Sequence, residues 1–372
     1  MKISVLSENL KKGMGVAIKA VANRPQLPIL SNVLLRANKD GLLILATDLE
    51  ISLIVKVGAK VEEEGDMAVP AKLFFDLINS LPSGAVLIKR EKQALNISGN
   101  RVKVEVVGQA AEEFPSLPRF KGKGLMVDSQ RFKKVIEAVG VSVAKDDTRP
   151  ILTGILWQMV PGEITLVATD GYRLGMDRLK GVEKDESFQS EKVILPARAL
   201  MELSRVVGEE ASSSKIEVDL DEEKQQVMFR VGDVEMSSRL IAGDFPPFEQ
   251  IIPIEHKLRV MVSREMLLEA VKRASLFARD NSNIVKLEIG EDMVLVKAES
   301  SQAGRNESEV EAKTEGEGMV VAFNARYLLD FLSASEEKQT IMEFEGELKP
   351  GVFLPEGVDF KQIIMPIRQT EN

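Results

Sequence analysis

The sequence contains no cysteine and one histidine in 372 residues. The first absence excludes disulfides, thiolate metal sites and cysteine nucleophiles. The second leaves no base for a Ser-His-Asp triad and no ligand set for a histidine-rich zinc site. His256 itself sits in "IIPIEHKLRV", a connecting segment. Aromatic residues make up only 5% of the chain, which disfavours recognition of single strands by base stacking. No apolar run approaches the roughly 18 residues of a membrane span. The opening "MKISVLSENL" alternates in polarity and lacks the charged stub and apolar core of a signal peptide. A cytoplasmic chain with no membrane partner is expected. Walker A, G-x-G-x-x-G and H-E-x-x-H motifs are all missing, and "KGKG" at 121–124 reads as a linker. No catalytic residue, metal or cofactor is expected. A net charge of −9 argues against general attraction of nucleic acid but leaves local patches open.

What is present is a repetition. "LILATDLEISL" (43–53) returns as "TLVATDGYRLGM" (165–176), and weakly as "MVLVKAESSQAGRNES" (293–308). It is one of five features recurring in the same order, which is the mark of a repeat architecture. A serine opens an amphipathic segment at Ser7, Ser129 and Ser263, and serine is a favoured N-cap. In the second copy Phe132, Val135, Ile136 and Val139 recur at helical spacing. A strand follows in "LPILSNVLLRA", "PILTGILWQMV" and "NIVKLEIG". The Thr-Asp element reads as a hairpin, with Asp170-Gly171 suited to its turn. A second helix follows in "VPAKLFFDLINSL", "LPARALMELSRVV" and "FNARYLLDFLSAS", with Lys72, Arg198 and Arg326 at matching places. "EEFPSLP", "GDFPPFEQIIP" and "VDFKQIIMPIR" read as the closing strand pair of each copy.

The expected fold class is therefore α+β. Three repeated domains, at 1–122, 123–253 and 254–372, each carry two helices and about eight short strands in antiparallel sheets, with helices on one face. A Thr-Asp pair repeated at a corner reads as architecture rather than chemistry. An acid–base site at Asp170 and Arg173 stays as the enzymatic alternative, and an oligomer that binds no DNA as the structural one.

The first-helix segments (9–24, 130–149 and 264–279) carry thirteen cations against five anions, a balance of +8 that leaves −17 for the rest. A solvated helix face is the plain explanation. Recurrence in all three copies favours a positive surface that holds phosphates without reading bases.

"RPQLPILSNVLL", "TDLEISL", "VPAKLFFDLINSLP", "TDGYRLG", "GDFPPFEQIIP" and "IIMPIR" together closely resemble the bacterial sliding clamps, the beta subunits of DNA polymerase III. The resemblance runs in order along essentially the whole chain. It implies a head-to-tail homodimer, a ring of six domains that encircles duplex DNA and tethers the replicative polymerase. Twelve helices about 10 Å apart would enclose a hole of about 28 Å once a helix diameter is removed. The implied partners are duplex DNA without sequence preference, a second copy of the chain, the DNA polymerase III catalytic subunit, the clamp loader, and other polymerases and repair proteins that carry clamp-binding peptides.

Carried over onto this sequence, the peptide pocket would comprise Leu152, Thr169, Gly171, Tyr172, Arg173, Leu174, Pro246, Ile251, Ile364, Met365, Pro366 and Arg368. Thr169 and Arg173 would supply its hydrogen bonds, and Gly171, where the first copy has Leu49, would leave room for the guest. DNA contacts are expected at Arg24, Arg149, Lys72, Arg198 and Arg279. The dimer interface is expected at Val104 and Val106 on an edge strand against Leu276 and Phe277. Gln250 stands where the family often has a cation, and "QTEN" runs on beyond Arg368.

Overall fold

The computed structural model describes residues 1–22, 25, 27–99, 101–120, 124–146, 148–183, 191–209, 214–221 and 225–368. Arg24 and the QTEN tail lie outside them. Six α-helices are formed among these residues: α1 Ser7–Ala17, α2 Ala71–Ser80, α3 Ser129–Gly140, α4 Ala197–Glu209, α5 Arg264–Ala278 and α6 Ala325–Ala334. Each buries one apolar stripe. Phe132, Val135, Ile136 and Val139 of α3 are fully buried, as are Leu267, Ala270, Val271, Ala274 and Ala278 of α5. Glycine lets α1 come close to its sheet, since a Cβ on Gly13 would lie 2.5 Å from a methyl of Val57.

The expected serine cap forms in the third copy and not in the first. The Ser263 hydroxyl accepts from the Met266 amide (3.5 Å). Ser7 is instead the first residue of α1, and its hydroxyl donates to the Pro82 carbonyl (3.0 Å). What recurs is a backbone bond that ties each helix start to the segment after the second helix. Ser7 donates to Gly84 (2.9 Å), Ser129 to Ser214 (3.0 Å) and Arg264 to Lys338 (2.9 Å). A tertiary bond satisfies an amide that a cap would otherwise serve.

The chain divides into two compact units. The first holds Met1–Gln130 and Arg198–Leu240 as its main pieces, and the second Arg131–Val182, the strand Glu191–Pro196 and the chain from Ile241 onward. The first unit contains a five-stranded and an eight-stranded sheet, and the second a twelve-stranded sheet. In the eight-stranded sheet the strand after the first Thr-Asp turn, Ile51–Val57, pairs antiparallel with Val234–Arg239. In the twelve-stranded sheet the strand after the second turn, Arg173–Lys180, pairs antiparallel with Lys361–Ile364. These are the same two elements of the repeat, joined in the same way.

Two strand edges carry no such partner. Val102–Val107 ends the five-stranded sheet and pairs only with Ala94–Gly99. Gly304–Glu315 pairs with Met293–Ser300 along residues 304–311, and with Leu258–Ser263 only from Ala312 on. The first of these corrects one expectation. Val106 points into the core, 3% exposed, while Val107 faces out at 69%. Alternation along a strand sends neighbours to opposite faces.

Many of the scarce aromatics are core residues. Phe323, Phe331, Phe344, Phe353 and Phe360 form one chain of ring contacts with centroids 5.3–6.1 Å apart.

Candidate functional site: an apolar groove beside the second Thr-Asp turn

The Thr-Asp turn is built twice with one set of bonds. In the first copy the Thr47 hydroxyl donates to the Ile51 carbonyl (2.9 Å) and accepts from the Leu49 amide (3.0 Å). Asp48 Oδ1 accepts from the amides of Glu50 and Ile51 (3.0 and 2.8 Å). In the second, Thr169 donates to the Arg173 carbonyl (2.7 Å) and accepts from Gly171 (3.0 Å). Asp170 Oδ1 accepts from Tyr172 and Arg173 (2.9 and 3.0 Å). Short polar side chains satisfy turn amides in this way. The residue after each aspartate has positive φ, 76° at Leu49 and 92° at Gly171.

Gly171 does make room, but for a neighbour in the fold. A Cβ there would lie 3.1 Å from Arg149 Nη1. The guanidinium occupies that space and Nη2 donates to the Asp170 carbonyl (3.0 Å). Arg173 turns inward, its side chain 2% exposed. Its Nε donates to Asp170 Oδ2 (3.1 Å) and Nη1 to Asp330 Oδ2 on α6 (2.7 Å). Its guanidinium lies over the Tyr327 ring, 4.5 Å from the centroid, a stacked and forked use that lysine would not reproduce. Burial pushes the Tyr327 hydroxyl above its usual range, and the Asp170 carboxylate adds to this. Thr169 and Arg173 were expected to bond a guest. Both line the groove and also bond within the turn, and Arg173 reaches α6 as well.

Beside this corner lies an open groove of about 270 Å³, just below the usual range of ligand clefts. Leu152, Leu174, Phe248 and Ile363 form its buried wall, and Arg149, Thr169, Gly171, Arg173 and Pro247 line it too. Tyr172, Pro246, Ile251 and Met365 stand at its rim. Of the carried-over residues, Ile364, Pro366 and Arg368 are not part of the lining. Ile364 is wholly buried on the opposite face of its strand from Ile363. Gln250, exposed on the short turn Glu249–Ile251, does not line the groove either. Phe248, Pro247, Ile363 and Arg149 were missed as groove residues. In "QIIMPIR" both central residues are apolar, so the face could not be chosen without the register. Arg149 had been assigned to DNA.

Arg198, Lys72 and Arg279, also expected at DNA, are not lining residues of the groove. Arg198 bonds Asp48 Oδ2 (2.8 Å) and sits 3.7 Å from Glu50. Lys72 and Arg279 are exposed, near the start of α2 and just past the end of α5. Several first-helix cations serve the fold. Lys11 donates to the Leu81 carbonyl (2.7 Å), Arg131 pairs with the buried Asp177 (2.5 Å) and Lys134 with Glu336 (3.0 Å). Burial raises the Asp177 carboxyl above its ordinary value despite the arginine. Leu276 is 56% exposed and Phe277 half-buried.

The fold and the groove define a class of protein: repeated α+β domains joined through continuous antiparallel sheets, with an apolar docking cleft at one junction. Among the described residues there is no cluster of histidine, aspartate and glutamate that could hold a metal. Family models for the DNA polymerase III beta subunit match the chain three times in order: the N-terminal domain at 1–118, the central domain at 126–247 and the C-terminal domain at 249–368. A beta sliding clamp of Staphylococcus aureus is 29% identical over 364 residues, covering 94% of this chain and 95% of the relative. The DNA polymerase sliding clamp of Bacillus subtilis superposes with a TM-score of 0.93 at 27% identity, over the whole of both chains. The DNA polymerase III beta subunit of Thermotoga maritima gives 0.90 at 29%, over 99% of this chain and all of that one. The chain belongs to the DNA polymerase III beta subunit family. Its function is that of a DNA sliding clamp, with the ring, polymerase tethering and peptide pocket that go with the family.

Proposed function

We propose that two copies of this chain close head to tail into a ring whose six domains are 1–122, 123–253 and 254–372 taken twice. The observation that carries this is the repeated sheet junction. Twice, the strand after the hairpin turn of one repeat pairs with the closing strand of the next. Twice, the turn also meets the second helix of the next repeat, through Asp48 with Arg198 and Arg173 with Asp330. The third hairpin strand, at 304–311, and the first closing strand, Val102–Val107, keep one open edge each. An open edge invites pairing, and a head-to-tail contact closes where the rotation permits. Val107, on the outward face of that edge, then meets Leu276 and Phe277 of the second copy. By the same rule α2, with Lys72 in the place of Arg198, faces the third hairpin.

A closed ring holds duplex by topology, so weak backbone contacts suffice and permit sliding. Arg24 and Arg279 supply them. Tethering raises the local concentration of a bound polymerase at the primer end. The chain is a scaffold and not an enzyme, and it works in the cytoplasm. The groove of the second unit takes short peptides that carry a glutamine and apolar residues, from the polymerase catalytic subunit, the clamp loader and repair proteins. Arg149 supplies the polar anchor. A guanidinium has five N–H groups, so one bond to Asp170 leaves donors for the guest.

Retention on DNA tests the ring. The protein loaded on a nicked circular duplex should stay bound through gel filtration, and should escape once the circle is cut. Equal retention on circular and linear duplex would overturn the topological reading.

A further inference from the structure

The groove wall depends on a strand of four residues. Lys361–Ile364 pairs with Arg173–Lys180 on one side and Gly351–Pro355 on the other. Ile363 and Met365 face the groove. A slip of one residue would turn both away and offer Ile364 instead. Since Ile363 and Ile364 are the same residue type, apolar burial alone does little to choose between the registers.

A buried polar pair distinguishes them. Gln362 and Ser142 are both 0% exposed. Gln362 Nε2 donates to Ser142 Oγ (2.8 Å), and the Ser142 hydroxyl lies 3.2 Å from Gln362 Oε1. Gly175, opposite Gln362 in the ladder, makes the approach possible: a Cβ there would lie 2.8 Å from Ser142 Oγ. In a slipped register the Gln362 amide would lose this partner, and an unpaired buried amide is costly.

The first junction shows that the fold does not need this set. The ladder pair Gly175 and Gln362 corresponds to Leu53 and Met236. Ser142 corresponds to Ala20, 122 residues earlier, after a matching turn: Val21 bonds Ile18 (3.2 Å) as Val143 bonds Gly140 (3.3 Å). All three equivalents are buried and apolar. The polar version occurs at the junction that carries the groove.

We propose that Ser142, Gly175 and Gln362 form a register lock whose role is to present Ile363 and Met365 to the peptide. They are positioning residues that touch no ligand, and the inference rests on the groove being the peptide site. A polar group at one core position can select a register without adding stability. If the lock is removed and the strand is held in register a tenth of the time, the apparent Kd rises about tenfold.

The test is the double variant Ser142→Ala/Gln362→Met, which gives two of the three positions their first-junction residues and leaves no polar group orphaned. It is titrated, beside wild type and Ile363→Ala, with a fluorescein-labelled peptide bearing a glutamine followed by apolar residues. The double variant is expected to melt within about 4 °C of wild type and to bind about tenfold more weakly. Unchanged affinity in the double variant, with binding lost in Ile363→Ala, sinks the lock and leaves the groove standing. No binding to wild type sinks both. Should the double variant not fold, amide exchange in Gln362→Met decides. Faster exchange confined to residues 361–365 supports the lock, and wild-type protection there overturns it.

Discussion

Leu49 and Gly171 hold the same place in two copies of one turn, and only one of them is a glycine. The left-handed region costs a side-chain residue about 1–2 kcal/mol, and Leu49 bears that strain at φ 76° while 40% exposed. Leu49→Gly should therefore raise stability by about 0.5–1 kcal/mol in urea unfolding, allowing for the entropy of glycine in the unfolded chain. Gly171→Ala should do the opposite, lowering stability by about 1 kcal/mol. It should also weaken peptide binding, because the new methyl displaces Arg149. Unaltered affinity would mean that Arg149 does not touch the guest. At this scale the sequence was legible where a residue bonds its own neighbours, so the Thr-Asp pair was read correctly as a corner. It was not legible where a long side chain chooses a direction. Nothing local tells Arg173 to turn toward Asp330, which is 157 positions away, or Arg149 to lie over Gly171.

Among elements, the helices and hairpin strands of the repeat form because each is set by local periodicity, whereas of the three closing segments read as strands only the last holds one, Lys361–Ile364, and the first two carry short helical turns instead. Strand partners are not local, and the junction pairs join segments about 180 positions apart in the chain. The misplacement of Val106 and Ile364 has this cause: alternation gives two faces, and only the register says which is inward. The open edges carry a direct prediction. Leu276→Ala with Phe277→Ala should shift the protein from dimer to monomer in sedimentation, since hot-spot truncations cost at least about 2 kcal/mol each. Val107→Lys, a charge on the opposing edge, should do the same. If either protein sediments as wild type at micromolar concentration, the edges are wrongly matched. The serine caps mark a limit of a different kind. Ser263 caps its helix and Ser7 does not, because Ser7 begins its helix instead of preceding it.

For the whole molecule, the sequence balance of +8 on the first-helix segments overstated the charge offered to DNA. Arg131, Lys134 and Lys11 are spent on fold contacts, and a composition count cannot see that. Binding to linear duplex is accordingly expected to fall steeply between about 50 and 200 mM salt, while a ring already closed on a circle stays. Salt-independent binding to the linear form would point to base contacts instead of phosphates.

The two unmatched strand edges also say when assembly stops. One chain leaves one edge of each kind open, and a closed circle of copies leaves none. The rotation at each contact, not the count of edges, sets how many copies close the circle. Joining two copies in a single polypeptide would let the molecule satisfy every edge by itself. Such a fusion should sediment as one closed particle at any dilution, indifferent to its own concentration in a way the natural chain is not.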